Sequence, residues 1–312
     1  MTIDDQVDSL LEKGLLADRH LLVKHLENVS YHRLSGYWYS FRNIGKDGEW
    51  SFHPGTNLDV IWDRYVFDRQ LRLLVFDAIE RVEVAIRNDL ILNLAITQGP
   101  FGYLNLNNLP GIETMDNNGN IVYTHRAFLS HARSLCMREL KNGNTAVKRF
   151  HDRYSDEHGE YLPLWILLEI VEFGTLCHLL WGAPKGTKRV IARKYGLKSP
   201  VILDSWMGTL RSARNNCAHH GRFWNQRYPV KPILPDKKNI MWHEPIELED
   251  SKDKAFGTLT ILKYLLSFIA PQSSWADRLE ALFARHPKIN RGLLGYPENW
   301  HECPIWSDNA VT

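Results

Sequence analysis

From Thr56 to Gln98 the chain contains neither proline nor glycine. Those are the two residues that most readily break helices. Along the same stretch Phe67, Leu71, Leu74, Val75, Ala78, Val82 and Ala85 recur at steps of three and four. That is the period of a helix with an apolar stripe. The pattern predicts a helix of roughly 40 residues, about 60 Å long if straight. A kink or break fits it as well as a rod does. Thr56 is the predicted N-cap, Asp59 is the acid of the first turn, and Gly99-Pro100 is the stop.

Most of the remainder also reads as helix, so the expected fold class is all-α. Residues 2–29 suggest two short helices parted by Gly14, and YHRLSGYWYSFR at 31–42 is dense in aromatic and basic side chains. Residues 100–124 are irregular, and DNNGN at 116–120 is a turn able to close a hairpin. Helices are expected at about 125–140, from Asn144 on, as one buried helix from Tyr161 to Trp181, and at 187–195. Ser199-Pro200 starts another, with Leu203, Trp206, Met207, Leu210, Ala213 and Cys217 on its apolar face and Gly221 capping its end. After a connector at 228–250 comes a helical pair at about 253–270 and 275–285, then a tail wrapping the surface from Pro287. This divides the chain into an N-terminal segment (1–55), a helical core (56–228) and a C-terminal extension (229–312).

Composition narrows the function classes. The 38 Lys and Arg nearly balance 36 Asp and Glu, so nucleic-acid binding would have to rest on local patches. The most apolar stretch, Tyr161–Trp181, is interrupted by Glu169, Glu172 and His178, which argues against a membrane span. The acidic start MTIDDQVDSLL shows no secretory signal. Cysteines at 136, 177, 217 and 303 form no CxxC pair, and the 14 histidines include no HExxH. Reduced thiols in a cytoplasmic protein are expected, with no metal or other cofactor.

The segment that carries chemistry is LRSARNNCAHHGRFWN at 210–225. On a wheel of about 100° per residue, Arg214 falls about 20° from Leu203, inside the apolar face, and His219 about 160° away. A guanidinium placed there needs a partner or a wet cleft. The Arg-x4-His spacing alone is weak: with 22 Arg and 14 His, gaps of four to six arise by chance roughly three times. Arg19/His25, Arg126/His131 and Arg153/His158 fit as well and read as solvated surface. Arg214/His219 differs in context, with Asn215 and Asn216 beside the arginine and paired histidines at the helix end.

These blocks resemble the bacterial abortive-infection (Abi) family, in its AbiD/AbiF group, within the HEPN superfamily. The matching segments are YHRLSGYWYSF at 31–41, LRLLVFDAIERVEVAIRNDL at 71–90, PLWILLEIVEFGTLCHLL at 163–180 and RNNCAHHGRFWN at 214–225. The last fits the superfamily's R-N-x-x-x-H pattern with Arg214, Asn215 and His219. The resemblance covers roughly residues 10–230. It implies a HEPN-like helical bundle with an N-terminal helical and aromatic extension and an irregular C-terminal region. It also implies a metal-independent endoribonuclease, acting as a toxin in phage defence, that leaves 2′,3′-cyclic phosphate ends. Two signatures usually face each other across a dimer, so a homodimer is expected, with the Arg214-bearing face continuing into the interface. Members are linked to small non-coding RNA partners, which implies an RNA antitoxin here.

The expected catalytic residues are Arg214, Asn215 and His219. His220, Glu83 and Arg87 are expected in support, the last two from a helix packed beside the signature helix with its polar groups lining the cleft; an ordinary i,i+4 surface ion pair is the stronger alternative for Glu83 and Arg87. The expected RNA contacts are Arg222, Trp224, Asn225, Arg33, Tyr37, Trp38, Arg189 and Arg193. For Tyr37, Trp38 and Trp224 packing in the core is an equal or stronger alternative. A non-catalytic RNA-binding module and a purely structural interaction protein are the competing functions.

Overall fold

The computed structural model describes residues 1–46, 48–115, 118–235 and 252–307. Residues 236–250 of the connector expected at 228–250, and Asp116 and Asn117 of the expected turn, lie outside them. The fold is all-α. The strands among the described residues form two small antiparallel pairs, β1 (Arg42–Ile44) with β2 (Trp50–Phe52) and β3 (Thr114–Met115) with β4 (Ile121–Tyr123). The second pair flanks the DNNGN turn.

At the N-terminus, α1 (Ile3–Glu12) is closed by a capping box between Thr2 and Asp5. Gly14, at φ 91°, separates it from α2 (Arg19–Asn28), which Asp18 caps. The aromatic and basic stretch forms α3 (Tyr31–Trp38). The long helix is α4 (Leu58–Leu90). Its N-cap is Asn57, one residue later than expected, because the Asn57 side chain accepts the Val60 N–H while the Thr56 hydroxyl donates to the His53 carbonyl. A π-turn (Ile91–Ala95) and a short α5 (Ile96–Gln98) carry the rod on to Gly99. The helix thus widens near its end without breaking.

Next come α6 (His125–Lys141) and α7 (Thr145–His158), capped by Thr124 and Asn144. The single helix expected over 161–181 is two, α8 (Leu164–Ile170) and α9 (Phe173–Gly182), because Val171 and Glu172 adopt extended backbone angles. The basic helix is α10 (Lys185–Lys194), and α11 (Pro200–Ala218) begins with proline at its first position. The expected C-terminal pair is α12 (Ala255–Ile269) and α13 (Trp275–Arg285). Leu294, Tyr296, Cys303 and Trp306 of the tail are buried, so it adds to the core as well as covering it.

The centre is α4. Ile61, Phe67, Leu71, Val75, Ala78, Val82 and Ile86 are buried along it, and α3, α9, α11, α12 and α13 all pack on it. One hydrophobic core runs from Val7 to Trp306. The apolar face of α11 is spent inside the chain: Leu203, Met207, Leu210, Ala213 and Cys217 are all buried. Those five side chains are therefore covered within one chain. No helix among the described residues is long and apolar enough to cross a membrane.

Candidate functional site

Arg214 sits between buried Ala213 and Cys217 and is itself half-buried, making no hydrogen bond or ion pair with any described residue. The neighbouring α4 presents Glu83 and Arg87 to it. Glu83 Oε1 accepts from Arg87 Nη2 at 2.5 Å, and the same nitrogen donates to the Val171 carbonyl at 2.9 Å. That carbonyl lies at the α8–α9 break, so Arg87 supplies a donor where the helical ladder stops. Burial raises the Glu83 carboxyl above its ordinary range, and the charges of Arg87 and Arg214 oppose the rise. The expectation that α4 packs beside the signature helix, with polar groups in the seam, matches this geometry.

The end of α11 is a Schellman turn. His219 is the C-cap, the His220 N–H donates to the Cys217 carbonyl at 3.0 Å and the Gly221 N–H donates to the Asn216 carbonyl at 2.8 Å. The left-handed position, normally glycine, is His220 at φ 57°. Gly221, expected there, is instead required one step on, where a Cβ would come within 2.1 Å of Asn216 Oδ1. Asn216 Nδ2 donates to the Arg222 carbonyl at 2.9 Å and closes the loop. The turn leaves Asn215 and both histidines exposed. His219 makes no side-chain hydrogen bond or ion pair with a described residue.

What holds this turn in place is Asp68, fully buried on α4. One carboxylate oxygen accepts the N–H groups of Phe223 (3.0 Å) and Trp224 (2.6 Å). The other accepts the Tyr37 hydroxyl at 2.6 Å and pairs with Arg72 one turn along. The motif thus docks on α3 and α4 through a single charge with four donors.

The expected RNA contacts are placed unevenly. Tyr37, Trp38 and Trp224 are buried, so none offers a ring to a base, and the packing alternative is what the structure shows. Arg33 does reach the signature turn, but its Nη1 donates to the His220 carbonyl at 2.5 Å. Arg222 donates to the Gly36 carbonyl. Both brace α3 against the turn and keep their other N–H groups. Asn225 is half-buried at φ 47°. On α10, Arg189 and Arg193 are exposed on one face, while Lys188 and Lys194 of the same run pair with Asp204 (2.8 Å) and Asp89 (2.5 Å). No sequence reading of a site included Asp68, although an Asp and an Arg four apart on an apolar stripe are a visible signal.

A second group was also missed. One turn before Arg214, Arg211 opens onto a cleft of about 780 Å³ between β4, α6, the α8–α9 break and α11. Tyr123 stacks on His178 at 3.9 Å between centroids. Arg211 Nη1 lies 3.4 Å from His178 Nε2, and the guanidinium lies 5.8 Å from the Trp181 ring. Burial and the Arg211 charge push the His178 imidazole down to about 4. On the opposite rim His131 Nε2 meets Glu172 Oε2 at 2.8 Å. The signal for this cleft was His178 interrupting an apolar helix, together with a second arginine three residues before Arg214.

A family model described as Abi-like protein matches residues 24–225. No curated protein and no solved structure matches the chain. The matched span begins in α2, contains all of α3 to α11 and ends just after the Schellman turn, well over half of the chain. The chain therefore belongs to the Abi-like protein family, and its function is related to abortive infection.

Proposed function

We propose that the chain is a metal-independent endoribonuclease of the HEPN superfamily, in the AbiD/AbiF group, acting as a toxin in phage defence. The observation that carries this reading is an exposed His219 at the C-cap of α11, unengaged among the described residues, five residues after a half-buried Arg214 that has no hydrogen-bonded carboxylate among them. The 2′-hydroxyl of the RNA attacks the adjacent phosphorus and the bond to the 5′-oxygen breaks. A 2′,3′-cyclic phosphate and a 5′-hydroxyl result. The His219 imidazole moves the proton from the attacking oxygen or to the leaving one. Arg214 neutralises the charge that grows on the non-bridging oxygens. Asn215 is exposed beside them, able to hold phosphate or orient the imidazole.

Five residues apart, Arg214 and His219 point away from each other by about 140° on a helical wheel. One phosphate reaches both only across the helix end, or with a second copy of the chain. A homodimer also supplies two histidines, one as acid and one as base. A toxin of this kind needs restraint, and a small RNA held by the exposed α10 face at Arg189 and Arg193 is the partner this reading favours.

The test is purified protein on total RNA with and without EDTA, followed by end-group analysis. Cleavage that persists in EDTA and leaves cyclic-phosphate ends is expected. A folded His219→Ala protein should neither cleave RNA nor arrest growth. Activity that vanishes with chelator and returns with Mg²⁺, or a His219→Ala protein of full toxicity, overturns the mechanism.

A further inference from the structure

We propose that the cleft at Arg211 receives a nucleotide of the RNA strand whose scissile phosphate lies at Arg214. This rests on the ribonuclease reading above and adds to it a second, non-catalytic subsite.

The two arginines are three residues apart on α11, so they are neighbours on its surface, about 4.5 Å apart along the axis. Polar groups link them. Arg87, paired with Glu83 near Arg214, donates to the carbonyl of Val171, and the next residue, Glu172, lines the Arg211 cleft. Cys177, buried between these groups, feels the charges of both Arg211 and Glu83. A strand lying along this seam therefore passes from one arginine to the other.

The chemistry of the cleft suits a phosphate joined to a planar base. Arg211 forms no ion pair with any described residue, and its nearest polar neighbour is a ring nitrogen. A half-buried guanidinium met only by an imidazole retains N–H groups for an anion. His178 Nε2 faces that guanidinium and so acts as acceptor, which leaves its proton on Nδ1. Arg211 is the donor that faces the cleft, while the Nδ1 proton, directed away from Nε2, and the Tyr123 hydroxyl are buried polar groups beside it with no partner among the described residues. Buried polar groups are seldom left unmatched without a reason. Tyr123, stacked on His178, and Trp181, edge-on to that imidazole, make the cleft wall aromatic, a lining of the kind on which a base stacks regardless of its identity. The Glu172–His131 pair on the rim adds an acceptor for a base amino group. The cleft volume of about 780 Å³ is ample for one nucleotide.

The probe is a fluorescein-labelled, fully 2′-O-methylated single-stranded oligonucleotide, which 2′-hydroxyl chemistry cannot cut. Binding to the full chain is read by anisotropy at fixed salt, with 5′-AMP and 5′-UMP as competitors. Arg211→Gln should weaken binding about tenfold, the loss of one charge-assisted contact. Tyr123→Phe removes only a hydroxyl without a partner, so its fold is kept, and it should weaken binding about threefold. In cleavage assays Arg211→Gln should raise KM more than it lowers kcat, as loss of uniform binding does.

Unchanged oligonucleotide affinity in folded Arg211→Gln and Tyr123→Phe proteins would overturn the proposal. Displacement by the mononucleotides at concentrations as low as those at which the unlabelled oligonucleotide competes would also overturn it, since the cleft would then serve a free nucleotide and not a strand. The binding arm does not depend on turnover. A chain that cuts no RNA but binds the probe through Arg211 refutes the nuclease and keeps the cleft as an RNA site, whereas cleavage with an Arg211-indifferent probe does the reverse.

Discussion

His178 is held neutral by two effects that act in one direction, burial and the Arg211 charge, and its imidazole titrates near 4 against an ordinary 6.5. A lowered histidine favours the folded state fully above pH 6.5, and that contribution is lost as pH falls toward 4. At 1.36 kcal/mol per unit, discounted for partial exposure, about 2–3 kcal/mol is at stake. Urea unfolding at pH 7, 5.5 and 4 should show this loss in the wild type and a flatter profile in His178→Phe, which keeps the stack on Tyr123. Parallel profiles would show that His178 does not titrate as described. At the signature turn, His220 occupies a left-handed position at φ 57°. His220→Gly should raise unfolding stability by about 0.5–1 kcal/mol, since glycine takes that conformation without a Cβ penalty. A lower Tm would contradict this. At this scale Arg214 and His219 were legible from the pattern around them. The Asp68/Arg72 spacing and the arginine before Arg214 were visible in the sequence, but the partners that give Asp68, Arg211 and Tyr123 their roles, among them Phe223, Trp224 and His178, lie far off in the chain.

Among the elements, α4 was the most legible, because uninterrupted periodicity is a local property. The split of 161–181 into α8 and α9 was not. Apolar composition continues across Val171, and the group that answers its carbonyl is Arg87, 84 residues away in sequence. The same holds for Asp68, whose charge ties α3 and the post-motif turn to α4. Asp68→Ala should cost about 3–5 kcal/mol, because it leaves the Arg72 guanidinium buried without its partner. Pairing it with Arg72→Met should cost less than the two single changes summed, by the coupling expected of contacting residues. Chemical denaturation of the three variants checks this, and strict additivity would show that the two charges act independently. The aromatic block of α3 was legible as a motif, while its function was split between platform and plug. Burial of Tyr37 and Trp38 places it with the plug.

For the whole molecule, the all-α class followed from periodicity alone, whereas the arrangement around one central rod depends on contacts that no window of sequence contains. If two copies of His219 serve as acid and base, the active species is a dimer. Light scattering at micromolar protein should then give twice 36.3 kDa, and mixing in His219→Ala chains should depress activity more than dilution does. A fully active monomer would be incompatible with this. The central position of α4 also bears on how the protein is made. The ribosome releases α4 early, yet α12 and α13, which cover one flank of it, follow about 165–195 residues later; at 5–20 residues per second that is a delay of roughly ten to forty seconds. The signature helix α11 is itself made late in that interval and precedes α12 by 37 residues, so for roughly two to seven seconds it is complete while that flank of its scaffold is still uncovered. A nascent chain therefore has no finished site, and a message truncated before α12 yields a product that cannot complete the core. If the chain is the toxin proposed above, late closure of the core would keep unfinished copies inactive in the cell translating them.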